Sequence, residues 1–422
     1  MKVFKFGGAS VKDAEGVKNV LRVLNKTQNG NRLVIISAMG KTTNSLEEVV
    51  EAYLKNGNFR PALSIVKNYH QEIVADLFLN PSASVFKKIE DFFTELENFL
   101  AHNKSTKYDF VYDQVVSYGE LISTTIVSEF LEASGVKNNW FDARTLIKTD
   151  ATYRDAQVNW EETQEEIPRK IKGNELNITQ GFIASDPNNF TTTLGREGSD
   201  YTAAIFAYCL NAESVTIWKD VPGVLNGDPR VFQKTQLLEQ ISYEEAIELA
   251  FYGASVIHPK TLQPLQRKEI PLYVKSFLNP DDPGTAVSKG QHIIPSIPCF
   301  IVKKNQVLIS LSSLDFSFMV EENISEIFRL FHQYQIKVDL IQNSAISFSV
   351  CVDNKFNNLE KLIQHLKARY KVSFTTGVSL YTIRHFTDAA VKTLEKDRKI
   401  LLKQVAQNTV QLVTAAQEIA SK

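Results

Sequence analysis

The chain has 422 residues, enough for two or three domains, and its 43% hydrophobic and 23% charged composition, with 18 Gly and 13 Pro, excludes collagen-like and disordered chains. Forty-seven basic against 48 acidic residues leave a net charge of −1 and no basic stripe, which excludes a nucleic-acid binder. Cys209, Cys299 and Cys351 are too scattered for a disulfide framework or a zinc knuckle, and there is no apolar leader or long apolar run, so a cytoplasmic protein without membrane contact is expected.

Residues 3–6 read as a strand, Gly7-Gly8 as a turn, and Val17, Val20, Leu21 and Leu24 as the stripe of a helix. The apolar run 33–37 reads as a strand covered on both faces, with a helix following from Asn44, so a parallel α/β sheet is expected. Residues 61–102 read as helical with a break at Asn80-Pro81 and look like an insertion, and 213–218 returns to a buried strand. Turn formers at 279–284 and prolines at 295 and 298 place a linker at about 280–300.

Beyond it, strand 307–312, the stripe Ile324, Ile327, Phe328 and Phe331, strands 338–341 and 345–352, the stripe Leu359, Leu362, Ile363 and Leu366, and strand 371–375 follow in turn. The order is β-α-β-β-α-β, which is ferredoxin-like. A strand at 378–384, a helix over 388–404 and a strand near 409–413 predict a second unit of about half that length. The expected domains are therefore 1–290, 300–375 and 376–422.

Two glycine-containing loops carry the candidate chemistry. Lys5-Phe6-Gly7-Gly8-Ala9-Ser10 lies between a strand and a helix, where backbone amides and a helix N-terminus attract a phosphate and Lys5 adds a cation. Thr193-Leu194-Gly195-Arg196-Glu197-Gly198-Ser199-Asp200 precedes a helix in the same manner and adds a guanidinium, a hydroxyl and a carboxylate. Gly40-Lys41-Thr42 mimics the tail of a P-loop, but Ile35 stands where its first glycine is required, which excludes that class. Trp218-Lys219-Asp220 and Asp228-Pro229-Arg230 follow a buried strand, where open α/β sheets present ligand-binding groups. Glu120 begins a further helical run, and His258-Pro259-Lys260 reads as structural at the histidine.

KFGGAS, SAMGKTTN at 37–44, Gly119-Glu120, QGFIA at 180–184, TLGREGSDYTAA, WKDVPGV, DPR and GASVIHPKTL occur in this order, and together they resemble the aspartate kinase branch of the amino acid kinase family. The resemblance implies an α/β sandwich that transfers the ATP γ-phosphoryl to the β-carboxylate of L-aspartate with Mg²⁺, a step toward lysine, threonine and methionine. It also implies C-terminal ferredoxin-like ACT modules, α+β in class, that sense amino acids; the short second unit separately suggests a homodimer through this region, with strands of two chains pairing to cover their edges.

Matched by position, Lys5 and Asp200 would be catalytic, and Ser37, Thr43, Glu120, Arg196 and Ser199 would hold aspartate. Lys5, Gly7, Gly8, Ser10, Lys219, Asp220, Arg230 and Lys260 would hold ATP, with no metal-ligand set of the protein's own. Departures are Glu197 for a glycine, expected to point outward, Leu225 for a tyrosine, Ser255 for a lysine, Ala345 for a glutamate on the effector strand, and Glu321-Glu322-Asn323 for a glycine before the preceding helix. Two alternatives are a related kinase of another acidic substrate and a non-catalytic amino-acid sensor.

Overall fold

The computed structural model describes residues 1–416 apart from 28, 29, 81, 174, 255, 256, 291, 316, 354, 356 and 357. It divides into two compact units, one formed by Met1–Val224, Leu237–Ile247 and Val256–Ile294, the other by Leu225–Gln236, Glu248–Ser255 and Pro295–Lys422.

The first unit is built on an eight-stranded sheet. Its spatial order is Asn138–Phe141, Leu176–Gln180, Arg32–Ile36, Lys2–Phe6, Ser214–Lys219, Leu272–Ser276, Thr285–Ser288 and Gln240–Ser242. All neighbours are parallel except Leu272–Ser276 and Thr285–Ser288. The central strands are continuous apolar runs because helices cover both faces, so every residue from Val3 to Phe6 and from Leu33 to Ile36 is buried.

Helices Arg60–Leu77 and Ser84–His102, which the sequence presents as an insertion, lay Leu63, Val66, Ile73 and Val74, then Val85, Ile89, Phe93, Leu96 and Leu100, into the same core as Phe6 and Ile36. They are part of the core layer rather than an appendage. Pro81, at the expected break, lies outside the described residues. Among the described residues no helix is long and apolar enough to cross a membrane.

In the second unit the β-α-β-β-α-β order expected for 307–375 is present, but its outer strands run on. Cys299–Ser313 and Tyr370–Arg384 are single 15-residue strands. Their far halves pair Ser310 with Ser373 and Ile309 with Phe374, and their near halves pair Cys299 with Arg384 and Lys303 with Leu380. Between the halves the register shifts, where Asn305 (φ +57°) and Gly377 (φ +71°) take left-handed backbone.

The near halves belong to a second set of strands with helix Asp388–Glu395 and strands Ile400–Ala406 and Thr409–Thr414. One six-stranded sheet results. Two expectations are thereby corrected. The helix expected to reach residue 404 stops at Glu395, because the run Ile400-Leu401-Leu402 lies in a strand paired with Thr409–Thr414; short apolar runs do not distinguish the two periods. The second unit also has more strands than the two expected, since Ile400–Ala406 joins it and Cys299–Lys303 precedes the first ferredoxin-like module in the chain.

Candidate active site

Parallel register places the site. Phe6 is level with Ile36 and with Trp218, and Ile36 with Gln180, so the next residues Gly7, Ser37, Lys219 and Gly181 emerge side by side at the carboxyl ends of four adjacent strands. That edge is where open α/β sheets bind ligands. Gly8 is required by close approach: a Cβ there would lie 2.7 Å from the Ala38 carbonyl and 2.8 Å from that of Gly40, and the Gly40 N–H donates to the Gly8 carbonyl at 3.0 Å. The two turns therefore stack backbone on backbone.

Lys5 projects from the first strand to Asp200, Nζ to Oδ1 2.7 Å, and Lys219 approaches the other carboxylate oxygen at 3.5 Å. Asp200 sits in the first turn of helix Gly198–Cys209. Burial alone would raise its carboxyl pKa, but Lys5 and Lys219 outweigh burial and hold it below the usual range. Two ammonium groups share one carboxylate here, so the buried cluster keeps a positive excess that suits a phosphoryl group.

Glu120 enters from helix Tyr108–Ala133, fully buried, and its Oε1 accepts from the Ala38 N–H at 3.3 Å. Its Oε2 is buried without a hydrogen-bond partner. Burial pushes its pKa up to about 8, against the opposing pull of the Ala38 N–H and Lys5. An orphaned acid of this kind suits a ligand's ammonium group.

The other expected residues divide. Ser37 is half-buried, its N–H bonded to the Phe6 carbonyl at 3.1 Å, and Thr43 is half-buried in the first turn of helix Thr42–Asn56. Ser199 is buried against Gly181, where any Cβ would collide with it. Arg196 is exposed and has no ion pair among the described residues, leaving its fork open to a carboxylate.

Ser10 turns its hydroxyl toward the Trp218 carbonyl, 3.5 Å away, and Asp220 is exposed in the loop after Lys219. Lys260 is ion-paired with Asp155, beside Gly195. Arg230 belongs to the second unit and pairs with Asp228 at 2.8 Å. Ser255 lies outside the described residues.

Glu197 corrects an expectation. It holds φ +54° as the residue before helix Gly198–Cys209, and one of its carboxylate oxygens is buried without a partner instead of pointing outward.

Sequence reasoning missed the scaffold behind these groups. Asp113, wholly buried two turns before Glu120 on the same helical face, accepts from the Thr193 N–H and hydroxyl at 2.8 and 2.7 Å and from the Arg154 N–H at 3.0 Å. A seven-residue spacing from Glu120 was the available signal. Tyr69 donates to the Lys12 carbonyl and abuts Gly40, bracing both glycine turns, and nothing in the sequence marks it.

The strand ends of this α/β sheet bring together the Lys5–Asp200–Lys219 cluster, two glycine turns and the arginine loop, and the model for "Amino acid kinase family" matches residues 1–276. The chain is 33% identical over 396 residues to the lysine-sensitive aspartokinase 3 of Escherichia coli, covering 90% of this chain and 86% of that one. It is 32% identical to the chloroplastic aspartokinase 1 of Arabidopsis thaliana, covering 83% of this chain and 63% of that one. Two crystal structures of the E. coli aspartokinase III superpose over 99% of this chain and 96% of theirs at 30% identity: one with lysine and aspartate (T-state), TM-score 0.81, the other with aspartate and ADP (R-state), TM-score 0.80. The chain belongs to the amino acid kinase family and, within it, to the aspartokinases.

Proposed function

We propose that this chain is an ATP-dependent aspartate kinase in which the Lys5–Asp200–Lys219 cluster receives the transferring phosphoryl group and Glu120 with Arg196 holds L-aspartate. A β-carboxylate oxygen attacks the γ-phosphorus, the bond to the β,γ-bridging oxygen breaks, ADP leaves, and 4-phospho-L-aspartate forms. The attacking carboxylate is ionised near neutrality, so no general base is needed, and alignment with charge neutralisation supplies the catalysis.

Lys5 and Lys219 face the migrating charge, and Asp200 orients them without attacking. Glu120 takes the α-ammonium, Arg196 forks onto a carboxylate, and Ser37, Thr43 and Ser199 add hydroxyl contacts. Gly7, Gly8, Ser10 and Asp220 serve the nucleotide. Lys260 and Arg230 would add cations for the nucleotide, each exchanging a solvent-exposed partner, Asp155 and Asp228 respectively, for a phosphate. Mg²⁺ would neutralise the β- and γ-oxygens. Asp200 is taken by two ammonium groups, so in this reading the ion would arrive on the nucleotide.

The regulatory sheet ends in edge strands Lys337–Asn343 and Ile400–Ala406, and we propose that a second copy covers them in a homodimer. All three cysteines are buried and none is in a disulfide, in keeping with the cytoplasmic setting we propose.

The carrying observation is the orphaned, buried Glu120 oxygen beside a lysine pair with excess positive charge. ADP release measured with aspartate, glutamate and N-acetylglutamate tests the reading. Turnover with aspartate is expected; turnover only with another acid, or none with any, overturns it.

A further inference from the structure

Arg196 stands on an exposed loop, yet the residues that precede it are gripped from two sides. From one side the Asp113 carboxylate takes the Thr193 N–H and hydroxyl together with the Arg154 N–H. From the other the segment after Arg154 returns along the loop: the Ala156 N–H donates to the Thr193 carbonyl at 3.0 Å, and the Asp155 carboxylate, itself paired with Lys260, sits where a Cβ on Gly195 would be. Arg154 is held at φ +68°, a backbone unusual for a residue with a side chain, and its guanidinium lies 4.3 Å from the Tyr112 ring centre. Such a conformation persists only where the surroundings over-determine it. All of these residues lie in the first unit.

We propose that Asp113 is a positioning residue for aspartate binding: its buried carboxylate locks Thr193 and Arg154 together and so fixes where the loop presents Arg196. This rests on the functional reading above. The physical effect is pre-organisation. A loop that populates its binding-competent form only part of the time binds its ligand more weakly by that fraction, while groups acting on the phosphoryl are untouched.

Steady-state kinetics and amide hydrogen exchange on the full chain decide it. Asp113→Ala should raise the aspartate KM by about tenfold or more, with kcat within about threefold and the ATP KM unchanged. Asp113→Asn should restore the KM to within about threefold, because an amide oxygen can accept both N–H groups while its NH₂ donates to the Thr193 hydroxyl. Thr193→Val, which removes only the hydroxyl, should fall between them and keeps the question answerable if Asp113→Ala does not fold.

Without substrate, the amides of Thr193 and Arg154 should exchange at least about tenfold faster in Asp113→Ala than in the wild type or Asp113→Asn. An unchanged aspartate KM in Asp113→Ala, unchanged exchange at those two amides, or a proportional loss of kcat and both KM values would overturn the proposal. A wild-type protein that turns over no aspartate would remove the functional reading instead, and is told apart because the exchange measurement needs no substrate.

Discussion

At the scale of single residues, the two buried acids of the site have opposite surroundings and so opposite tasks. Asp200 faces two ammonium groups and stays ionised, and Glu120 has one N–H and an empty side, with a pKa near 8. Lys5→Ala should lower kcat by at least about 100-fold with a smaller change in aspartate KM, because its charge acts where the phosphoryl develops negative charge; a near-normal kcat would remove that role. Arg196→Lys should raise the aspartate KM with little change in kcat, since a point charge cannot reproduce a bidentate fork. Glu197 invites a gain of stability instead. It combines left-handed backbone with a buried unpartnered oxygen, so Glu197→Gly should raise the unfolding free energy by about 1 kcal/mol in a denaturant titration.

At the scale of elements, what the sequence made legible followed from local rules. Lys5, Gly7 and Gly8 sit on a strand-turn-helix whose pattern is self-contained, and the ferredoxin-like order of 307–375 rests on amphipathic stripes that bury Ile327, Phe331, Leu362 and Leu366 as their spacing demands. What was hidden depends on distant partners. The strand Cys299–Lys303 has meaning only against Val378–Arg384, and Asp113 reads as a solvated helix acid until Thr193 is folded onto it.

The strand Lys337–Asn343 shows the same dependence. Ala345 supplies no acid, and Asp339, the carboxylate of strand Lys337–Asn343, is already held by Lys303 at 2.8 Å and neighboured by Lys337 at 3.5 Å. The strand's own carboxylate is thus already held by ammonium groups of the chain, so lysine at millimolar concentration should leave aspartate turnover unchanged. Saturable inhibition would refute this.

At the scale of the whole molecule, the site's unmet charge should appear in global stability. Glu120 has its pKa raised from 4.5 to about 8 in the folded chain, so the folded state retains a proton that the unfolded state gives up, and stability must fall as pH rises between those values. Asp113, raised to about 6, adds to that fall at lower pH. His70, buried and lowered to about 4, opposes it up to its ordinary value of 6.5, because there the unfolded chain binds the extra proton. The interval from pH 6.5 to 8 is therefore where Glu120 acts with least opposition. Across it the unfolding free energy should decline with a slope no steeper than the one-proton limit, about 1.4 kcal/mol per pH unit. Aspartate reverses the sign of the problem, since its ammonium stabilises the carboxylate form of Glu120. Its binding at pH 7 should then release a fraction of a proton, and its stabilising effect should grow toward pH 8. Calorimetric titration of aspartate in two buffers of different ionisation enthalpy measures the release, and denaturant titrations from pH 6.5 to 8 measure the slope. Glu120→Gln should flatten the slope and abolish the release; a variant that keeps both would place the titrating group elsewhere.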